Sequence, residues 1–495
     1  MARLNTWTGP MDDAVEAILS FIKLAYDRDD DGLELSNALH GIFDELKDDL
    51  CVLIEYPYVD KVFRDSYYSY FSSKHQDYSR YCLRVALFAQ PIREKDFRSP
   101  DKFNYLQENF LGYIVIRPTF PKILGRSLLS KKAIEDDGFL CCTFKENVAI
   151  NGVKLDVSGF SHCSQDGETI TCAETTIWSV MEYFGHKYAD YKPTYPSKIV
   201  NVLHETSTER MIPSPGLSDS QISYALRRFG FGTYMYSLDL NTNPAEMERI
   251  ISIYTDSGIP TIAILNNEFT SHAIVVIGHE TDKALDFAKQ KKTKIDYLDE
   301  EIDYIDYANI KKRFVIQDDN LAPYRLIDLR NPTSENYEDP KFEGCTIQTV
   351  VVPLYKKIYL EAIRAKKLLL AVLVDRDFGY KFDKNFVFKA FLTSSRSFKN
   401  HIVHLTTLDP TVKDGLLKTP MPKFIWCAEI YSSHNFSRNI AGGLIIVDAT
   451  EPLAGKKDGF IFGGYPDKVI MKDGNKFINL QKGFKTYKEF KNNLQ

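Results

Sequence analysis

Cysteine is scarce in this chain, with eight residues in 495 and no CxxC pair among them. That density excludes a disulfide-stapled scaffold, and the missing pairs exclude a zinc knuckle. Long apolar runs are lacking too: none approaches the roughly 18 residues of a membrane span. The opening MARLNTWTGPMDDAVEAILSFIKLAY has no uninterrupted apolar core of the kind a secretory leader needs, because Asp12, Asp13 and Glu16 fall inside it. A cytoplasmic protein is the expectation. There is also no surplus of charge: 62 Lys and Arg stand against 67 Asp and Glu, a net charge of −5. A broad footprint for nucleic acid is therefore not expected. What remains, 44% hydrophobic and 26% charged without repeat or low-complexity linker, is ordinary globular protein, long enough for two to four packed units at roughly 100–200 residues each.

The periodicities predict an α+β chain. Residues 13–25 carry Val15, Ile18, Phe21 and Ile22 on one helical face, and 35–47 repeat the pattern. Strand-like runs follow at Cys51–Ile54 and Leu111–Ile116, with a tyrosine-rich stretch at 55–71 expected to pack in a core or interface. Thr171 and Glu174 form a capping box, Ala173, Ile177, Val180, Met181 and Phe184 a buried stripe, and Gly185 a helix end. Ser218 with Gln221, and Asn243 with Pro244, start two further helices, which end at Gly230 and Gly258. Strands are then predicted at 259–265, 272–278 and 313–317, with 281–312 as a surface insertion containing some helix. Beyond 340, strand runs flank a helix near 358–369. Helices first and strands afterwards argue for α+β rather than a doubly wound sheet. The expected division is an N-terminal α/β region at 1–150, a central domain at 151–340 and a β-rich α/β region at 341–495.

One cysteine has a physical reason to be reactive. The capping box puts Cys172 at the first position of its helix, where unpaired N–H groups and the positive end of the dipole favour a thiolate. A cysteine nucleophile needs a base, and the base an orienting acceptor. His272 precedes a buried run at one strand end, and Asp318 follows a buried run at another. Asp319 and Asn320 are alternative acceptors, although strand alternation puts Asp318 on the face of Phe314 and Ile316. Gln165, seven residues before Cys172 in a polar loop, has an amide able to donate to an oxyanion.

The order Q-x6-C-A-E-T, then S-H-A-I-V-V-I-G, then V-I-Q-D-D-N resembles the papain-like cysteine peptidase superfamily. It is most similar to the bacterial branch that processes double-glycine leader peptides. The resemblance covers about 165–325. It implies a papain-like fold in the middle of the chain, a peptide or protein substrate and no cofactor or metal. In that reading Cys172 is the nucleophile, His272 the general base and acid, Asp318 the orienting acid and Gln165 an oxyanion donor. The chain departs from the pattern in four places. Ala173 stands where glycine is usual, Gln165 lies slightly further upstream, His272 and Asp318 are 46 residues apart, and Asp319 replaces a common proline. The same triad would also serve an acyltransferase of the transglutaminase or arylamine acetyltransferase kind, or survive in a catalytically silent binding scaffold, since a fold does not dictate function.

Three other patterns imitate sites. DRDDDG at 27–32 begins like a calcium loop, but the twelfth position, where a bidentate Glu belongs, is Ala38. Asp31 with Glu34 reads instead as a capping box. His401 and His404 lack a third ligand at a characteristic spacing. Lys289–Lys294 precede acidic 296–306, a self-compensated solvated face.

Overall fold

A computed structural model describes the chain except residues 1–3, 27–31, 121, 206–210, 214–215, 240–241, 282–288, 298–299, 381, 383–384 and 452–454. The calcium-like segment and its capping Asp31 lie largely outside the described residues. The protein is mixed α+β, with 32% helix and 32% strand. No helix among the described residues is long and apolar enough to cross a membrane.

Among the described residues three large sheets organise the chain, beside a two-stranded pair of Ile440–Ala441 with Tyr487–Lys488. The first is antiparallel and seven-stranded, in the order Asn5–Pro10, Cys51–Tyr58, Cys82–Phe88, Phe110–Ile116, Ser127–Leu129, Val153–His162, Phe144–Ile150. The second runs Arg325–Ile327, Phe314–Gln317, Ser271–Glu280, Thr261–Asn266, Thr346–Val352, Tyr234–Ser237, with Phe139–Cys141 added against the far end of Ser271–Glu280. The third has eight strands, in the order Lys292–Tyr297, Glu300–Asp306, Phe386–Ser394, Phe424–Tyr431, Gly443–Asp448, Phe460–Gly464, Val469–Asp473, Lys476–Leu480. Sheet membership thus crosses both expected limits: the first sheet extends past 150 to His162, and the second takes strands from either side of 151–340.

The segment 281–312 differs from its expectation. Its described part forms a β-hairpin, Lys292–Tyr297 with Glu300–Asp306, whose second strand pairs in parallel with Phe386–Ser394. Among the described residues of this segment the helical content is one 3-10 turn at Tyr307–Asn309; for residues 282–288 the expectation of some helix lies outside the described residues. Lys294 and Glu301 meet across the hairpin at 2.5 Å. The tyrosine stretch holds a helix, Lys61–Ser69, capped by Asp60 through the Phe63 N–H at 2.7 Å. Phe63, Tyr67, Phe71 and Tyr78 cluster around it.

The helix Cys172–Lys187 is the pivot. Every residue from Ala173 to Phe184 is buried, not only the predicted stripe, because the helix packs between the Phe144–His162 hairpin of the first sheet and Ser271–Glu280 of the second. A helix enclosed this way must satisfy its polar residues internally. Glu182 does so at Oε2 through Arg126, whose Nε donates to it at 2.9 Å while Nη2 reaches Glu146 at 2.6 Å, whereas Glu182 Oε1 and the Trp178 indole nitrogen are buried without a hydrogen-bond partner. Thr175, Thr176 and Ser179 return their hydroxyls to carbonyls of their own turn.

Gly185 does not end this helix, which continues to Lys187. It lies where the returning chain passes so closely that an added Cβ would fall 2.2 Å from the Pro193 nitrogen. Glycine to alanine inside a helix ordinarily helps by about 0.5–1 kcal/mol. Here overpacking reverses the sign, and Gly185→Ala should cost about 1–3 kcal/mol, read as a lower urea midpoint. A neutral or raised midpoint would contradict the close approach.

Candidate active site

Antiparallel pairing brings distant residues to one sheet edge. Val275 lies opposite Gln317 and Val276 opposite Ile316, so the start of the strand holding His272 and the end of the strand before Asp318 share that edge. The preceding hairpin, in which Leu265 pairs with His272, turns through Asn267, whose side chain accepts from the Phe269 and Thr270 N–H groups at 2.8 Å. Asn267 Nδ2 also donates to the carbonyls of Lys341 and Glu343, pinning the loop that carries Tyr337 and Phe342 near the imidazole.

His272 is 3% exposed, and its Nε2 lies 2.9 and 3.0 Å from the two oxygens of Asp318. Of the three candidate acceptors, Asp318 is the one that binds the ring in this way. Its carboxylate also accepts from the Asn320 N–H at 2.8 Å and from the Tyr337 hydroxyl. Asp319 stays 3.8 Å from Nε2. The Asn320 side-chain nitrogen is 3.4 Å away. With Nε2 engaged by Asp318, Nδ1 is the nitrogen left for Cys172, which is among the groups that raise the pKa of the ring.

Electrostatics separate the members. Burial disfavours the imidazolium of His272, but the charge and hydrogen bonds of Asp318, the contact with Cys172 and the charge of Asp319 more than offset it, and its pKa stands well above the usual histidine value. For Asp318 burial likewise opposes charge and is outweighed by His272, Tyr337 and the Asn320 N–H, leaving its pKa low. Asp319 has the same burial without the hydrogen bonds, since neither of its oxygens has a hydrogen-bond partner. Its pKa is pushed up to about 7, chiefly by burial and also by the Asp318 charge, against the opposing charges of His272 and Lys122.

Cys172 is partly buried, whereas the other seven cysteines are buried. Among them burial pushes Cys163 up to about 12 and Cys142 up to about 11. The helix start is built as expected: the Thr171 N–H and hydroxyl both donate to Glu174, at 3.1 and 2.5 Å. The loop before it is clamped by Asp166, which accepts from the N–H groups of Glu168, Thr169 and Ile170. The N-terminal region holds the same loop through Arg117, which donates to the Ser164 and Gln165 carbonyls at 3.0 and 3.2 Å, and through Tyr70 and Lys74 on Glu168. Gln165 is brought to the site, but its Nε2 donates at 2.9 Å to Asn320 Oδ1, an oxygen that also receives the Lys122 ammonium. Gln165 is therefore first of all a tie between the cysteine loop and the acid loop.

Lys122, Arg117 and Tyr337 had no signal in periodicity or spacing; each arrives from a loop whose path is tertiary. Another buried histidine provides a contrast. His162 directs Nδ1 to Gln317 Oε1 at 2.8 Å, and burial lowers its pKa to about 4, so it is neutral where His272 is charged. His279, at the far end of the His272 strand, pairs with Asp256 at 3.2 Å, and Asp256 also meets Lys312 and Lys389. A His–Asp contact alone is thus no signature of a site. His401 and His404 bond to the carbonyls of Lys488 and Asn400.

His272, Asp318 and Asp319 offer donor atoms within 4.8 Å of one another, a grouping of metal-ligand type. The lone-pair direction a cation needs on Nε2, however, is taken by the double contact with Asp318. Beside the cluster opens a cleft of about 860 Å3, lined in part by Lys122, Asp319, Asn320, Tyr337 and Phe342 and by the N-terminal helix Gly32–Phe43.

No family model matches the chain, and no curated protein matches it.

Asp319 generates a pH-dependent prediction. A carboxyl raised from 3.8 to about 7 on folding binds a proton in the native state that the unfolded chain has released, so its contribution worsens as pH rises from about 4 to 7. Asp319→Asn removes that liability. The variant should be more stable than the native protein near pH 8, by up to about 4 kcal/mol, and the difference should shrink toward pH 4 in urea unfolding. A difference independent of pH would contradict the assignment.

Proposed function

We propose that the protein is a papain-like cysteine peptidase that hydrolyses peptide or isopeptide bonds, nearest in kind to the double-glycine leader peptidases. The observation that carries this reading is the disposition of His272, with Nε2 bonded to Asp318 and Nδ1 free to serve the one partly exposed cysteine, itself at a helix start. The motif order in the sequence supports it independently.

In this mechanism the Cys172 thiolate attacks the substrate carbonyl carbon beside an imidazolium. The carbon–sulfur bond forms, and the oxyanion faces the Cys172 backbone N–H and the Gln165 amide, which has a second N–H beyond the one given to Asn320. His272 gives its proton to the leaving nitrogen as the carbon–nitrogen bond breaks, leaving a thioester. Water then attacks, returns a proton to His272, and the acid leaves with the thiolate restored. Asp318 holds the ring orientation and supports its positive charge throughout.

Alkylation of Cys172 by iodoacetamide near pH 6, followed by peptide mass spectrometry, tests the pair. Native protein should label selectively at Cys172, and His272→Ala should slow that labelling by about 10²-fold or more, as loss of a positioned base commonly does. Asp318→Asn should fall between the two. Labelling of Cys172 at an unchanged rate in a folded His272→Ala protein would remove the reading. Turnover, once a substrate is in hand, should survive chelation by EDTA; loss of activity that added zinc or magnesium restores would point to the His272–Asp318–Asp319 grouping as a metal centre instead.

A further inference from the structure

Against Asp318 and Asp319 the structure encloses a space far smaller than the open cleft. Its walls come from the strands Val153–His162, Ser271–Glu280 and Phe314–Gln317 and from the helix Cys172–Lys187. Four polar side chains on those walls have buried atoms with no hydrogen-bond partner: Ser161 Oγ, His162 Nε2, Gln317 Nε2 and both oxygens of Asp319. None of the four residues is more than 4% exposed. The remaining hydroxyls on the walls, of Thr175, Thr176 and Ser179, are already returned to carbonyls of the helix. Buried polar groups are paired in the large majority of cases, so four such groups around one space call for a shared partner.

Their chemistry narrows the occupant. Gln317 Oε1 can only accept, so the His162 ring donates to it from Nδ1 at 2.8 Å and leaves Nε2 as a bare lone pair. Burial keeps that ring neutral, with its pKa lowered to about 4. Asp319 accepts through at least one oxygen in either protonation state. Gln317 Nε2 donates, and the Ser161 hydroxyl is free to donate as well. Two acceptors and two donors are the complement of one water molecule, which gives two hydrogens and takes two. A metal ion would meet the amide hydrogens of Gln317, and an anion would meet the His162 lone pair and the Asp319 oxygens. Size agrees: about 10 Å3 is open to the centre of a water molecule, room for one and not for two.

We propose that this space is a binding site for a single internal water, which donates to His162 Nε2 and Asp319 and accepts from Gln317 Nε2 and the Ser161 hydroxyl. The water gives Asp319 a hydrogen-bond partner that no protein group supplies. It links the first sheet, through Ser161 and His162, to the strand end that leads into Asp318 and Asp319. Gln317 is then held at both amide atoms, Oε1 by His162 and Nε2 by the water, in a strand paired with that of His272. The inference stands on packing and hydrogen-bond chemistry and does not need the peptidase reading.

Two measurements on the full-length protein test it. A crystal structure at a resolution that orders single waters should show one isolated density peak at hydrogen-bond distance, roughly 2.7–3.2 Å, from His162 Nε2, Gln317 Nε2 and an Asp319 oxygen. An empty space with the side chains placed as described here, a direct His162–Asp319 contact that closes it, or a peak at the shorter distances of a metal ion would overturn the inference. The second measurement is nitrogen NMR of protein labelled with 15N on its histidine rings, the His162 signals being those lost in His162→Gln. Nδ1 should carry the proton, and Nε2 should be unprotonated with the shift of a nitrogen that accepts a hydrogen bond, unchanged across neutral pH. A protonated Nε2, or one with the shift of an acceptor lacking a donor, would count against the site. If His162→Gln does not fold, the crystal structure decides alone. Neither readout involves Cys172, so loss of the water site leaves the peptidase reading standing, and failure of the Cys172 labelling test leaves the water site.

Discussion

The enclosure of one helix between two sheets is the constraint on which the rest of the molecule depends. A helix buried on every side from Ala173 to Phe184 cannot shift along its axis or rotate without exposing apolar surface on one sheet and burying polar groups against the other. Arg126 reinforces the placement, because removing it would strand Glu182 as an uncompensated buried charge, a loss of about 3–5 kcal/mol in comparable cases. The helix start, and Cys172 with it, is thereby held at the edge where the strands of His272 and Asp318 also meet.

At that edge the protein concentrates ionisable groups that burial would otherwise neutralise. Asp318 remains charged because three donors converge on it, and its charge in turn keeps His272 protonated. Asp319, one residue away with no donor, is driven toward its neutral form. Adjacent aspartates with the same intrinsic chemistry thus have opposite protonation preferences, and the hydrogen bonds decide which is which. Further bonds tie the loops around these residues to other parts of the chain. Arg117, Lys122 and the pair Tyr70 and Lys74 belong to the N-terminal region, so the first sheet takes part in shaping the site.

Much of the local structure was legible in the residues. The capping boxes at Thr171 and Ser218 and the Asn243 cap start helices where expected, and Gly230 and Gly258 follow helix ends with positive φ, because each of these depends on interactions within a few residues. Gly185 was misleading for the converse reason: its role is set by Pro193 crossing in space. The segment 281–312 looked like a solvated insertion because its hairpin alternates charge with few apolar residues, and only its parallel pairing with Phe386–Ser394 makes it part of a sheet. Sheet membership, which ignores the limits at 150 and 340, is long-range by nature and leaves no mark in a sequence window.

The candidate triad divides the same way. Sequence alone determined that Cys172 begins a helix, that His272 and Asp318 sit at strand ends, and that no other cysteine has comparable surroundings, since all three are consequences of capping and alternation. It left Asp318, Asp319 and Asn320 open, and it offered Gln165 without showing that its amide is shared with Asn320. Those choices were decided by the tertiary structure, because a hydrogen bond between residues 46 or 155 positions apart exists only where packing has brought their elements to one edge and excluded the water that would otherwise compete for it.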